Sequence, residues 1–92
     1  MKYKLRISAK FTKDLKIISR RGYDTKRLHF IIEELLKGNP LSPIFKDHSL
    51  KGEYKGKREC HVYPNWVLIY EIYKDVLILE LCRTGTHSDV FE

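Results

Sequence analysis

At 92 residues, 42% of them hydrophobic and 12% aromatic, the chain can bury one modest core and is too short for two domains. Its formal charge of +6 is uneven: residues 1–58 hold 16 basic and 6 acidic side chains (+10), and residues 59–92 hold 2 and 6 (−4). No 18-residue apolar run occurs and the first residues alternate charged with apolar side chains, which argues against a membrane span or signal peptide; a cytoplasmic protein is expected.

In chain order, Tyr3, Leu5 and Ile7 alternate with Lys2, Lys4, Arg6 and Ser8, which predicts a strand over 2–8 with one buried face. Ser8 can cap a helix from Ala9 to about Arg21, with Phe11, Leu15 and Ile18 on one stripe and Lys10, Lys13, Lys16, Arg20 and Arg21 on the other faces. Gly22 stops it. Asp24 or Thr25 caps a second helix whose stripe is Leu28, Ile31, Ile32, Leu35 and Leu36, and Gly38 with Pro40 ends it. His29 lies beside that stripe as a boundary packing residue.

Periodicity fails from Gly38 to Lys57. So long a loop is expected to be ordered, because Leu41, Ile44, Phe45, Leu50 and Tyr54 can pack it, and it then holds His48 in place. Arg58 to Tyr63 alternates: Cys60 and Val62 suit the face under the helices, which puts Glu59 and His61 on the opposite, open face. Pro64-Asn65 turns the chain. Trp66 to Tyr73 is apolar on both faces, as in a central strand, and Val76 to Cys82 forms the last strand, where the core is expected to end. Cys60 and Cys82 lack zinc or redox spacing and read as small buried apolar residues.

The fold class is α+β in the order β-α-α-β-β-β: an antiparallel sheet with a two-helix hairpin on one face and a concave polar face on the other. P-loop, GxGxxG and HExxH patterns do not occur. If the tail folds back over the sheet, His48, Glu59, His61, Arg83 and His87 line one cleft. These are parts for metal-free RNA cleavage: one group takes the proton of a ribose 2′-hydroxyl, another protonates the leaving 5′-oxygen, and arginine holds the phosphate. Each has a plainer explanation. His48 can cap a backbone carbonyl, His61 can be half-buried, Glu59 can pair with a lysine, Arg83 can end a strand in a salt bridge, and Phe91 can plug the core edge. Three histidines also suggest zinc, but their spacing is not that of a compact ligand set, and neither metal nor cofactor is expected.

Lys46-Asp47-His48-Ser49-Leu50, Tyr54-Lys55-Gly56, Arg58-Glu59-Cys60-His61, Pro64-Asn65-Trp66 with Leu68-Ile69-Tyr70, and Arg83-Thr84-Gly85-Thr86-His87-Ser88 resemble the YafQ branch of the RelE/ParE toxin superfamily, nearly end to end. The resemblance implies a RelE-like fold and a ribosome-dependent mRNA endonuclease that works without metal in the ribosomal A site of the 70S ribosome. It is then the toxin of a type II toxin-antitoxin pair, inhibiting translation, neutralised by a DinJ- or RelB-like antitoxin and reaching operator DNA only through that antitoxin. The family's histidines fall on His48, His61 and His87, its sheet arginine on Arg83, its terminal aromatic on Phe91, and an acidic position on Glu59.

On this reading the base is His48, His61 or Glu59, the acid is His87, Arg83 holds the phosphate and Phe91 stacks on an mRNA base. Lys51, Lys55, Arg58 and the basic helices contact RNA. Asn65, also placed beside the substrate, departs from the aspartate usual there. An amide cannot accept a proton, so a base role at 65 is in doubt. Two other readings stand beside the nuclease: a ParE-like toxin that traps a protein such as gyrase without cutting, and an RNA-binding member with attenuated catalysis.

Overall fold

The computed structural model describes residues 1–91, beginning with β1 (Lys4–Ile7), α1 (Ala9–Arg20) and α2 (Lys26–Lys37). Ser8 turns strand into helix. Its hydroxyl accepts from the Phe11 N–H at 3.0 Å, the expected N-cap bond, and donates to the Cys82 carbonyl at 2.8 Å. α2 stops at Gly38, which adopts φ +79° while the N–H groups of Gly38 and Asn39 return to the carbonyls of Leu35 and Glu34.

The long loop is ordered by single 3-10 turns at Pro43–Phe45 and Gly52–Tyr54, with a two-residue strand, β2 (His48–Ser49), between them. β3 (Arg58–Tyr63), β4 (Trp66–Tyr73), β5 (Ile78–Gly85) and α3 (His87–Phe91) follow. The sheet order is β1-β5-β4-β3-β2. β2 to β5 pair antiparallel, but β1 runs parallel to β5 with Lys4 opposite Ile78, so the sheet is mixed and not wholly antiparallel as expected. The helices carry the chain to the far edge of the sheet, and three reversals then bring β5 back beside β1 in the same direction.

Apolar alternation fills both faces. Phe11, Ile18, Leu28, Ile31 and Leu35 pack on Cys60, Val62, Trp66, Leu68, Tyr70, Leu79 and Leu81. On the other face Val67, Ile69, Cys82 and Val90 form a smaller cluster with Leu50 and Tyr54 against it. The predicted polar face is therefore partly apolar and partly covered by α3.

Other corrections concern edges. Leu5 and Ile7 are 45% and 50% exposed although they lie level with buried Leu79 and Leu81, because β1 is the edge strand. Val76 and Leu77 belong to a turn in which Leu77 has φ +56°, and Ile44 is exposed. The core does not end at Cys82. β5 continues to Gly85, and Thr84 is buried, its hydroxyl accepting from the Trp66 indole N–H at 2.7 Å and donating to the Val67 carbonyl at 2.9 Å. Beyond the end of β1 the β5 edge is covered by α1, whose Asp14 Oδ2 accepts the Thr84 N–H at 3.1 Å. Both cysteines are free and buried; burial pushes the Cys82 thiol up to about 11 and the Cys60 thiol higher still. Among the described residues no helix is long and apolar enough to cross a membrane.

Candidate active site

Strand alternation and register decide which side chains meet. Cys60 and Val62 turn toward the helices, so Glu59 and His61 stand on the opposite face. Pairing then sets His48, Glu59, Ile69 and Arg83 in one row across β2, β3, β4 and β5, with His61, Val67 and Gly85 in the next. Gly85 has φ +148°, a conformation open to glycine, and a Cβ there would lie 2.9 Å from Asp89. The tail turns at that point and lays α3 over the second row.

Three imidazoles surround one carboxylate oxygen. Nε2 of His48, His61 and His87 lies 3.4, 3.5 and 3.6 Å from Glu59 Oε1, and the Glu59 side chain is only 4% exposed. Two ring orientations are fixed from behind: Nδ1 of His48 is 2.8 Å from the Lys46 carbonyl, and Nδ1 of His61 is 3.3 Å from the Pro64 carbonyl. A carbonyl only accepts, so both rings donate from Nδ1 and present Nε2 to Glu59. Nitrogen lone pairs and a carboxylate oxygen repel one another unless a proton or a cation lies between them.

The lengths of these contacts also matter. At 3.4–3.6 Å they are looser than a charge-assisted hydrogen bond of about 2.7–2.9 Å. A substrate hydroxyl or leaving oxygen can therefore compete for any of the nitrogens. His48 and His87 are the accessible pair, with side chains 50% and 51% exposed against 20% for His61.

Beside His87 the Phe91 ring stacks at 5.6 Å and 21°, and Tyr54 meets Phe91 edge-on at 5.4 Å. Phe91 stays 43% exposed, and Lys51 and Lys55 are exposed on the loop around Tyr54. Two predicted residues lie elsewhere. Arg58 shares the helix-side face with Cys60, donates from Nε to Asp47 at 2.9 Å, and Asp47 also accepts from the Tyr70 hydroxyl. Asn65 is exposed on the β3–β4 turn in a shallow hollow with Tyr23, Asp24, Tyr63 and Trp66, and among the described residues it makes no hydrogen bond to the cluster.

Arg83 falls in the predicted row but not as a free cation. Its Nε donates to Asp14 Oδ2 at 2.7 Å, and its Nη2 donates to Asp14 Oδ1 at 3.1 Å and the Asp89 carbonyl at 3.2 Å. The Asp14 hydrogen bonds outweigh burial and push the guanidinium pKa further up. Asp14 was missed on the sequence, although it sits between Phe11 and Ile18 on the buried stripe of α1, where an unpaired acid is costly. Asp89 was missed as well. It lies three residues after Thr86, the spacing of a capping box, and hydrogen bonds from Arg21, then Thr86, hold its carboxyl well below the usual range.

A metal-ligand set was not legible along the chain, yet ligand atoms of Glu59, His61 and His87 lie within 4.8 Å of one another. A neutral imidazole Nε2 and a buried carboxylate are donors that suit zinc or copper.

Comparison with known proteins finds relatives along nearly the whole chain. A family model described as the bacterial toxin of type II toxin-antitoxin system, YafQ, matches residues 3–92. The mRNA interferase toxin YafQ of Escherichia coli K12 is 39% identical over 85 residues, covering 91% of this chain and 90% of that protein. YafQ in the E. coli DinJ-YafQ complex superposes with a TM-score of 0.90 at 35% identity, covering 98% of this chain and 99% of that one. A metal-bound toxin from Helicobacter pylori superposes with a TM-score of 0.90 at 44% identity, covering 97% and 99%.

Proposed function

The chain belongs to the YafQ family of bacterial type II toxin-antitoxin toxins, and from that premise we propose that it is an mRNA interferase acting on messenger RNA in the ribosomal A site. The observation that carries the chemistry is the convergence of three Nε2 atoms on Glu59 Oε1. A ribose 2′-hydroxyl gives its proton to the His48–Glu59–His61 side of the cluster as its oxygen attacks phosphorus. His87, half exposed at the start of α3, protonates the 5′-oxygen as the P–O5′ bond breaks. The products are a 2′,3′-cyclic phosphate and a 5′-hydroxyl. Arg83, level with Glu59, adds positive charge near the phosphate while Asp14 fixes its position. Phe91, backed by His87 and Tyr54, offers a face for an unpaired base.

Ribosome binding falls to the basic helical surface, where Lys10, Lys13, Lys16 and Arg20 are all exposed. Replacing Lys13 and Lys16 by alanine is expected to weaken ribosome binding and lower its salt slope by roughly one per lysine, with the rate on bound ribosomes unchanged. The neutralising partner is an antitoxin of the kind joined to YafQ in the DinJ-YafQ complex. Primer extension on mRNA from cells expressing the chain tests the whole reading. Cuts that require translation support it; intact mRNA with induced DNA damage would move the protein to the gyrase-trapping class.

The same donors support a second reading. The H. pylori toxin is metal-bound, and here Glu59, His61 and His87 offer ligand atoms all within 4.8 Å of one another, so that a modest closure gives a zinc or copper ion metal–nitrogen bonds of about 2.0–2.1 Å. It occupies the lone pairs that cleavage needs, so it acts as an inhibitor. Zinc or copper is expected to lower cleavage and a chelator to restore it, with His61→Ala binding copper at least tenfold more weakly in calorimetry. Chelator-induced loss of cleavage would reverse the assignment.

A further inference from the structure

α3 has five residues, too few to hold a helix in water unaided, yet it carries His87. Burial of Val90 at 4% exposure anchors its far end. Its near end is organised by a single carboxylate. Asp89 Oδ2 accepts the Thr86 N–H at 2.9 Å, while Thr86 Oγ1 accepts the Asp89 N–H at 3.1 Å, which closes a capping box around His87. The same carboxylate receives both terminal nitrogens of Arg21, Nη1 at 2.6 Å and Nη2 at 2.9 Å. Arg21 is the C-cap of α1, 68 residues away in sequence. The Asp89 carbonyl accepts from Arg83, and its side chain fills the space that a Cβ on residue 85 would need.

One residue thus joins the end of α1, the end of β5 and the first turn of α3. We propose that Asp89 is a positioning residue that holds the His87 imidazole in line with the leaving oxygen, with Arg21 as the strut that ties it to α1. The pair is partly exposed, and such ion pairs add little to global stability. Its bidentate geometry instead fixes direction, and a small displacement of a reacting group is costly. Neither side chain touches substrate; both act through His87. The inference rests on the reading above, in which His87 protonates the 5′-oxygen.

Sulfur in place of that oxygen makes the test selective, because a thiolate leaves without a proton. Wild type, Asp89→Asn, Arg21→Gln and His87→Ala are compared on ribosomes carrying the natural message and on ribosomes carrying the 5′-sulfur message. Asp89→Asn is expected to lower kcat about 10- to 100-fold on the natural message with KM within about twofold. The sulfur message should be cut at nearly the wild-type rate. Arg21→Gln should follow to a lesser degree, and Arg21→Lys should recover part of the loss. Equal losses on both messages, or no loss, would overturn the positioning role. If sulfur fails to rescue His87→Ala, the underlying reading of His87 is what has failed.

Discussion

His87→Ala is expected to lower cleavage of ribosome-bound mRNA by about 10²- to 10⁴-fold, the usual worth of a positioned general acid, and to leave the fold intact. Its side chain is half exposed, so truncation removes little buried area, and the change in unfolding free energy stays within about 0.5 kcal/mol. What is lost is one of three nitrogens around Glu59 and the stacking partner of Phe91. His48 and His61 remain with their backbone carbonyl bonds, and on the proposed mechanism the 2′-hydroxyl side of the chemistry is still supplied. Single-turnover cleavage with a parallel thermal melt separates the two effects. Activity within tenfold of wild type would remove His87 from proton transfer.

Asp14→Ala is expected to cost about 3 kcal/mol of stability, because it strands a mostly buried guanidinium and the buried Thr84 N–H together. The Arg83 side chain is 20% exposed, so water relieves part of the cost and the lower end of the range for a broken buried pair applies. For a domain whose whole stability is about 5–15 kcal/mol this is a serious loss. Asp14→Asn should cost less, since the amide oxygen still accepts from Thr84. Urea denaturation of the two variants checks the order; equal stabilities would mean that the charge facing Arg83, and not the contact with Thr84, is what Asp14 supplies.

The sequence made some of this plain because period and physics agreed. Cys60 and Val62 could only face the helices, which sent Glu59 and His61 to the other side, and Ser8, Gly38 and the apolar run of β4 each had a single local solution. Edges were misread for the same reason that they are edges. Leu5 and Ile7 carry a strand pattern, but nothing on the pattern says that β1 has one neighbour, or that this neighbour is parallel. Thr84 looked like a polar tail residue because its value lies in a bond to Trp66, 18 positions earlier. The role of Asp14 depends on β1 ending before β5 does. That of Asp89 depends on a box that was readable as Thr86-x-x-Asp89 but whose partner, Arg21, lies at the other end of the chain. His48, Glu59, His61 and His87, which the fold brings together, stood out in the sequence; the struts beside them are long-range and did not.

On the proposed mechanism three histidines around one buried glutamate cut mRNA through the ribose 2′-hydroxyl. Replacing that hydroxyl by hydrogen at the cut nucleotide of a ribosome-bound message, and mapping the ends left on the unmodified message, tests it most directly. The ribose message is expected to leave a 2′,3′-cyclic phosphate and a 5′-hydroxyl, and the deoxy message to stay uncut. Cleavage of the deoxy message, or a 5′-phosphate product, would contradict it.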